Sequence, residues 1–205
     1  THRLPNLQFV FFDFEEKDKL PFELDGLIVC DLLHRIYTHN DNRKSAVFSF
    51  LKKCFKLIRT DGQLFIKDYA LPEQYGSVVL ELQTKDEEFD DIGKLEYFIK
   101  TRKELDIPAQ IEELPSDNTK TRNFQMPYKT AYEFLFYKDR IPDPDLRCDE
   151  FVFLNAQGYK NMLENMQARP LYMAPHRDYA YINRYFDQRF KMYSLEGNYL
   201  GYPAT

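Results

Sequence analysis

The sequence predicts an α/β fold with parallel strands. Short apolar runs ending in a carboxylate recur along the first third, and an amphipathic helix of crossover length lies between two of them. Residues 7–13, which close on Asp13, and residues 25–31, which close on Asp31, read as buried parallel strands. Asn40, Asp41 and Asn42 then supply helix-start chemistry. Val47, Phe48, Leu51, Cys54, Phe55 and Ile58 follow at helical spacing, with Lys52, Lys53, Lys56 and Arg59 on much of the rest of the surface. Thr60, Asp61 and Gly62 end this crossover helix in a turn, and residues 63–69, carrying Asp68 near their end, form a third strand.

Residues 76–148 differ in character. Residues 77–82 suit a strand or a helix equally, while 91–105 read as a helix with Ile92, Leu95, Phe98, Ile99 and Leu105 on one side. Pro108, Pro115 and the polar stretch 116–120 mark a loop, a helix-like aromatic pattern runs from Tyr128 to Lys138, and Pro142 and Pro144 interrupt the chain again. The last block, 149–205, returns to α/β punctuation. Asn155 caps a helix over 156–167 with Tyr159, Leu163 and Met166 inward, residues 169–175 read as a strand, and 189–193 with 199–200 form an antiparallel hairpin.

Composition narrows the function. With 205 residues and 43% hydrophobic content the chain can bury one sizeable core. It has neither an apolar run long enough for a membrane span nor a secretory signal, so a soluble cytoplasmic protein without a membrane partner is expected. A formal net charge of -5 argues against nucleic-acid binding through overall phosphate neutralisation, although a local basic patch is compatible with it. Cys30, Cys54 and Cys148 are too few and too widely spaced for a disulfide framework or a zinc cluster, and no metal is expected. The glycines fall at 26, 62, 76, 93, 158, 197 and 201, which leaves no Walker loop and no GxGxxG turn.

The order of Phe11 to Phe14, then Leu20 to Ile36, then Leu51 to Asp68 resembles the second half of a class I S-adenosylmethionine-dependent methyltransferase, and residues 151–175 resemble the helix and strand that follow. The resemblance implies a three-layer, Rossmann-like α/β fold, incomplete at its N-terminus. Residues 1–75 would hold the family's third to fifth strands, 76–148 a mostly helical inserted cap, and 149–205 the helix and strands that complete the sheet. It further implies S-adenosylmethionine as cofactor, with Asp13 facing the adenine beside Phe14 and with Asp31, Leu32 and Leu33 on the methionine side. His34 would stand near the acceptor as a general base, which a hydroxyl or amine needs as it loses a proton to take the methyl group.

Asp68 and Tyr69 at the end of the third strand, Tyr128, Lys129 and Tyr132 in the inserted block, and His176 and Arg177 near the end are the candidate acceptor-binding residues. Tyrosines there can stack on a ring, and the cations can pair with a carboxylate or phosphate. Interleaved Arg and Tyr would also suit RNA, the minor option given the net charge. The acceptor is a small molecule or a macromolecule. The family's first strand and glycine-rich loop are missing from this sequence. Three explanations are weighed: an N-terminal portion lying before Thr1, a second chain that completes the site, or loss of catalysis. The last would leave a silent methyltransferase-like binding or assembly module.

Overall fold

The computed structural model describes residues 20, 22–71, 76–84, 90–138, 150–177, 179–187 and 189–202. The expected first strand, 7–13, with Asp13 and Phe14, lies outside the described residues.

Strand β1, Leu24–Cys30, leads through the short helix α1, Leu33–Thr38, into α2, Arg43–Leu57, and back to β2, Ile58–Lys67, which pairs with β1 in parallel. The apolar spacing of α2 places Val47, Leu51, Cys54 and Leu57 inward, where all but Leu57 join Val29 and Leu33 in one core. The expected turn at 60–62 is an irregularity inside β2 rather than a break. Leu24 pairs with Ile58 but Gly26 pairs with Gln63, so Arg59 to Gly62 loops out, with Asp61 at φ 68°. Gly62 is required there, because a Cβ would stand 2.9 Å from the Asp25 carbonyl and 2.2 Å from the Ile58 side chain.

The remaining strands form a separate antiparallel sheet. β3, Ser77–Gln83, lies between β5, Thr121–Pro127, and β6, Phe190–Ser194, and β4, Glu112–Leu114, extends the edge beyond β5. Burial along β3 alternates strictly, putting Val78, Leu80 and Leu82 on one face, where Leu80 stands between Phe124 and Met192. Two helices cover that face: α3, Asp91–Glu104, through Leu95 and Phe98, and α4, Tyr128–Tyr137, through Ala131, Phe134 and Leu135. Helix α5, Ala156–Asn165, is capped by Asn155, whose side chain accepts from Gly158 N at 2.8 Å. It packs Tyr159 into the core of the parallel unit. Helix α6, Tyr179–Tyr185, precedes β6.

The fold is therefore mixed α/β, with two corrections to the expected arrangement. Among its described residues the expected helical block 76–148 holds three strands, β3, β4 and β5, beside α3 and α4, because apolar residues of β3 and β5 alternate where they have strand partners. Nor does the last block complete the parallel sheet among the described residues. Phe190 and Met192 alternate with Lys191 and Tyr193, the pattern of a half-buried antiparallel strand, and β6 pairs with β3. The hairpin reading of this region agrees with the Tyr193–Tyr199 bridge. No strand forms over 169–175. Pro170 and Pro175 remove ladder donors there, and Leu171 and Tyr172, adjacent in sequence, are both exposed.

Candidate functional site

The carboxyl end of the parallel pair gathers most of the residues singled out in the sequence. At the end of β1 the backbone N–H of Asp31 still donates to the Lys67 carbonyl at 2.9 Å, but its φ of 50° is left-handed and turns the chain out of the ladder. Asp31 and Leu32 are exposed, whereas the next two residues dive into the core. Leu33, expected beside a cofactor, is fully buried and lines no open surface.

Leu32 offers α1 no side-chain cap, and Asp68, from the end of β2, performs that task instead. One of its oxygens accepts from Leu33 N at 2.6 Å and His34 N at 3.3 Å; the other accepts from Tyr69 N at 2.8 Å and pairs with His34 Nδ1 at 2.9 Å. A carboxylate that accepts four times is well satisfied, so Asp68 organises the site from within rather than reaching toward a substrate. Because the carboxylate accepts, His34 Nδ1 carries a proton, which leaves Nε2 as the ring atom that faces away from Asp68. Nε2 is buried without a hydrogen-bond partner, and the whole residue is 1% exposed. A general base has to touch the proton it takes, so His34 in this arrangement is enclosed.

Aromatic rings form the enclosure. Tyr69 and Phe151 each lie 5.2 Å from the His34 ring, and Phe136 lies 4.4 Å from Tyr69. Tyr132 follows at 6.0 Å from Phe136 and Tyr128 at 5.0 Å from Tyr132, so the rings run continuously from His34 along α4. Tyr69, Tyr128 and Tyr132 are all buried. Burial pushes the hydroxyls of Tyr128 and Tyr132 up, and the charge of Arg177 opposes it, which places Arg177 within electrostatic reach of both. His176 and Arg177 themselves are exposed.

Two carboxylates escaped the sequence reading. Glu133 is fully buried on α4 and accepts from Phe151 N at 2.9 Å and Val152 N at 3.1 Å, with Arg102 at 3.6 Å. Burial raises its carboxyl to about 7 against the pull of Arg102. Glu150 pairs with Lys129 Nζ at 2.7 Å and with Arg43, while its N–H donates to Thr38 Oγ1 at 2.8 Å. Burial alone would raise the Glu150 carboxyl, and Lys129 and Arg43 together hold it below its usual range. Lys129 thus serves as one arm of a clamp that ties the stretch before α5 to α4, while Arg43 and Thr38 tie it to α2 and α1. In the sequence Lys129 stands four residues before Glu133, the spacing of a helical ion pair, yet the fold gives Lys129 to Glu150.

A surface depression of another kind lies at the β4–β5 end, lined by Thr84, Glu113, Ser116, Asn118 and Arg122 among others, and it contains no residue of this cluster. No helix among the described residues is long and apolar enough to cross a membrane. Comparison with family models, curated proteins and solved structures finds no match to this chain.

Proposed function

We propose that this domain transfers a methyl group from S-adenosylmethionine to a small-molecule or macromolecular acceptor. The observation that supports the reading is the end of the parallel β1–β2 unit, where Asp31 and Leu32 are presented to solvent beside the buried Asp68–His34 pair. The residues fit the methionine side of such a cofactor in kind. An exposed carboxylate can accept from an ammonium group, and an exposed leucine can cover an aliphatic chain. Leu33 does not take part, being sealed in the core. The cofactor, when bound, supplies a methyl group already activated on a sulfonium, so the protein's work is mainly alignment. Asp31 would hold the amino end, and Asp68 would fix α1 and the His34 ring. His34 could receive a proton at Nε2 only if Tyr69 or Phe151 moved aside.

The enclosure of His34 favours a second reading, a methyltransferase-like module that binds or assembles without catalysis. Calorimetric titration of the full chain with S-adenosylhomocysteine separates them. Methyl transfer predicts saturable binding that weakens by about tenfold in Asp31→Ala, the loss of roughly one charge-assisted hydrogen bond. No saturable heat would leave the silent module standing.

A further inference from the structure

We propose that the stretch from Arg169 to Tyr185 is a docking surface for single-stranded nucleic acid. The proposal rests on the methyl-transfer reading only in making that strand the acceptor; as a binding surface it stands on its own observations.

The first is local charge. This stretch carries Arg169, Arg177 and Arg184 against one acid, Asp178, in a chain whose formal net charge is -5. A positive segment on an acidic protein is a local field of its own, felt by an anion that approaches within about 8–10 Å at physiological salt. All three arginines are exposed.

The second is the aromatic content and its exposure. Tyr172 is 85% exposed and Tyr179 67% exposed, with Leu171 and Met173 open beside them. Tyr172 and Tyr179 are the two most exposed tyrosines among the described residues, and two open rings beside exposed Leu171 suit an external partner. Residues 171–177 form neither helix nor strand, and Pro170 and Pro175 limit how the backbone between them can fold back on those rings. Next to them α6 holds Tyr181 against Tyr185 at 4.7 Å with the rings tilted by 40°, and the Arg184 guanidinium lies 5.2 Å from the Tyr185 ring centre, an aromatic and cationic patch.

Open rings alternating with guanidinium groups match one chemistry best. Unpaired bases stack on tyrosine faces while arginines meet the phosphates between them, and a duplex, whose bases are already stacked, gains nothing from the rings. The position of the stretch adds the link to the candidate site. Arg177 acts electrostatically on Tyr128 and Tyr132, from which the buried rings lead to His34.

Fluorescence anisotropy of the full chain with labelled oligonucleotides of about 15 residues tests this, using RNA, DNA and the corresponding duplex at about 50 and 200 mM salt. At least one single strand is expected to bind about tenfold tighter than the duplex. Tyr172→Ala with Tyr179→Ala should weaken that binding about tenfold or more, since stacking on each ring contributes separately. The triple change Arg169→Gln, Arg177→Gln and Arg184→Gln should flatten the salt slope by about 2, from three phosphate contacts at about 0.7 each. These positions are exposed, so circular dichroism of the variants should match the parent. Equal affinity for parent and variants, a duplex preference, or binding to phosphatidylserine vesicles without binding to either strand would overturn the proposal. Strand binding without S-adenosylhomocysteine binding would instead overturn methyl transfer and leave the docking surface intact.

Discussion

In the antiparallel sheet Val78, Leu80 and Leu82 face the helices while the opposite face carries the Glu81–Lys191 pair at 3.5 Å. In the parallel ribbon Leu27 and Val29 face α2, but on the other side Ile28 is 71% and Phe65 57% exposed. The four-stranded sheet divides its residues between a dry face and a wet one, as a sheet covered on one side should. The ribbon has apolar residues on both faces, the composition of a strand pair meant to be covered twice, and the described residues cover it once. Its second peculiarity is at the carboxyl end, where one side chain, Asp68, holds α1, His34 and the chain beyond β2 together. Both units carry an apolar core, and the ribbon adds to its own a buried carboxylate that ties α1 to the end of β2.

The sharpest test of that contrast is Asp68→Ala. It strands the N–H groups of Leu33, His34 and Tyr69 and the His34 ring in a site buried from solvent. A loss of about 3–5 kcal/mol is expected from urea unfolding. Native-state hydrogen exchange should show the β1 and β2 amides losing protection while those of β3 and β5 keep theirs. Equal loss in both sheets would mean that the two cores fold as one unit and the contrast is only architectural.

What could be read in advance followed the range of the interaction. Expected helices over 91–105, 128–138 and 156–167 appear as Asp91–Glu104, Tyr128–Tyr137 and Ala156–Asn165, because caps and helical periodicity are carried by neighbours in sequence. Residues 77–82 stayed ambiguous for the opposite reason. An apolar Val78–Val79–Leu80 run suits either period, and only pairing with β5 and β6, some 45 and 110 residues away in register, makes it a strand. In the site, the exposed Asp31 and Leu32 sit where a strand end would put them. The role of Asp68 could not be seen, since its partners are the N–H groups of residues 34 and 35 positions earlier. Glu133 was hidden in the same way: spacing offered Lys129 as its partner, but the chain brings Phe151 and Val152 to it and gives Lys129 to Glu150.

Glu133 extends the contrast to pH. Its carboxyl lies under the antiparallel core and is raised from its usual 4.5 to about 7 by burial. The folded state therefore holds a proton that the unfolded chain has already released between those two values. Stability is greatest below about 4.5 as far as this group is concerned, falls as pH rises to about 7, and is then level, a total change on the order of 3 kcal/mol. Phe151 N and Val152 N donate to separate oxygens of the carboxylate, so Glu133→Gln keeps an acceptor for only one of them and should be less stable at every pH, but it cannot titrate and its unfolding free energy should lack that decline. Urea curves at pH 5, 6 and 7.5 would show it. Parallel slopes for parent and variant would mean that Arg102 keeps the carboxylate charged throughout.

The smallest expected effect bears most directly on the uncovered face. Ile28→Ser and Phe65→Ser replace side chains that stand largely in water, so each should cost no more than about 0.5 kcal/mol in urea unfolding. Leu80→Ala, at a fully buried position of the other sheet, should cost about 2–5 kcal/mol and serves as the reference. The two serine variants should also aggregate less than the parent on heating, because they shrink an exposed apolar patch beside a strand edge that has no partner among the described residues. If instead either substitution costs more than about 1.5 kcal/mol, the side chain is buried in solution, since only covered apolar groups lose that much. The ribbon would then be a two-sided sheet like any parallel one, and its difference from the antiparallel sheet would reduce to the single carboxylate of Asp68.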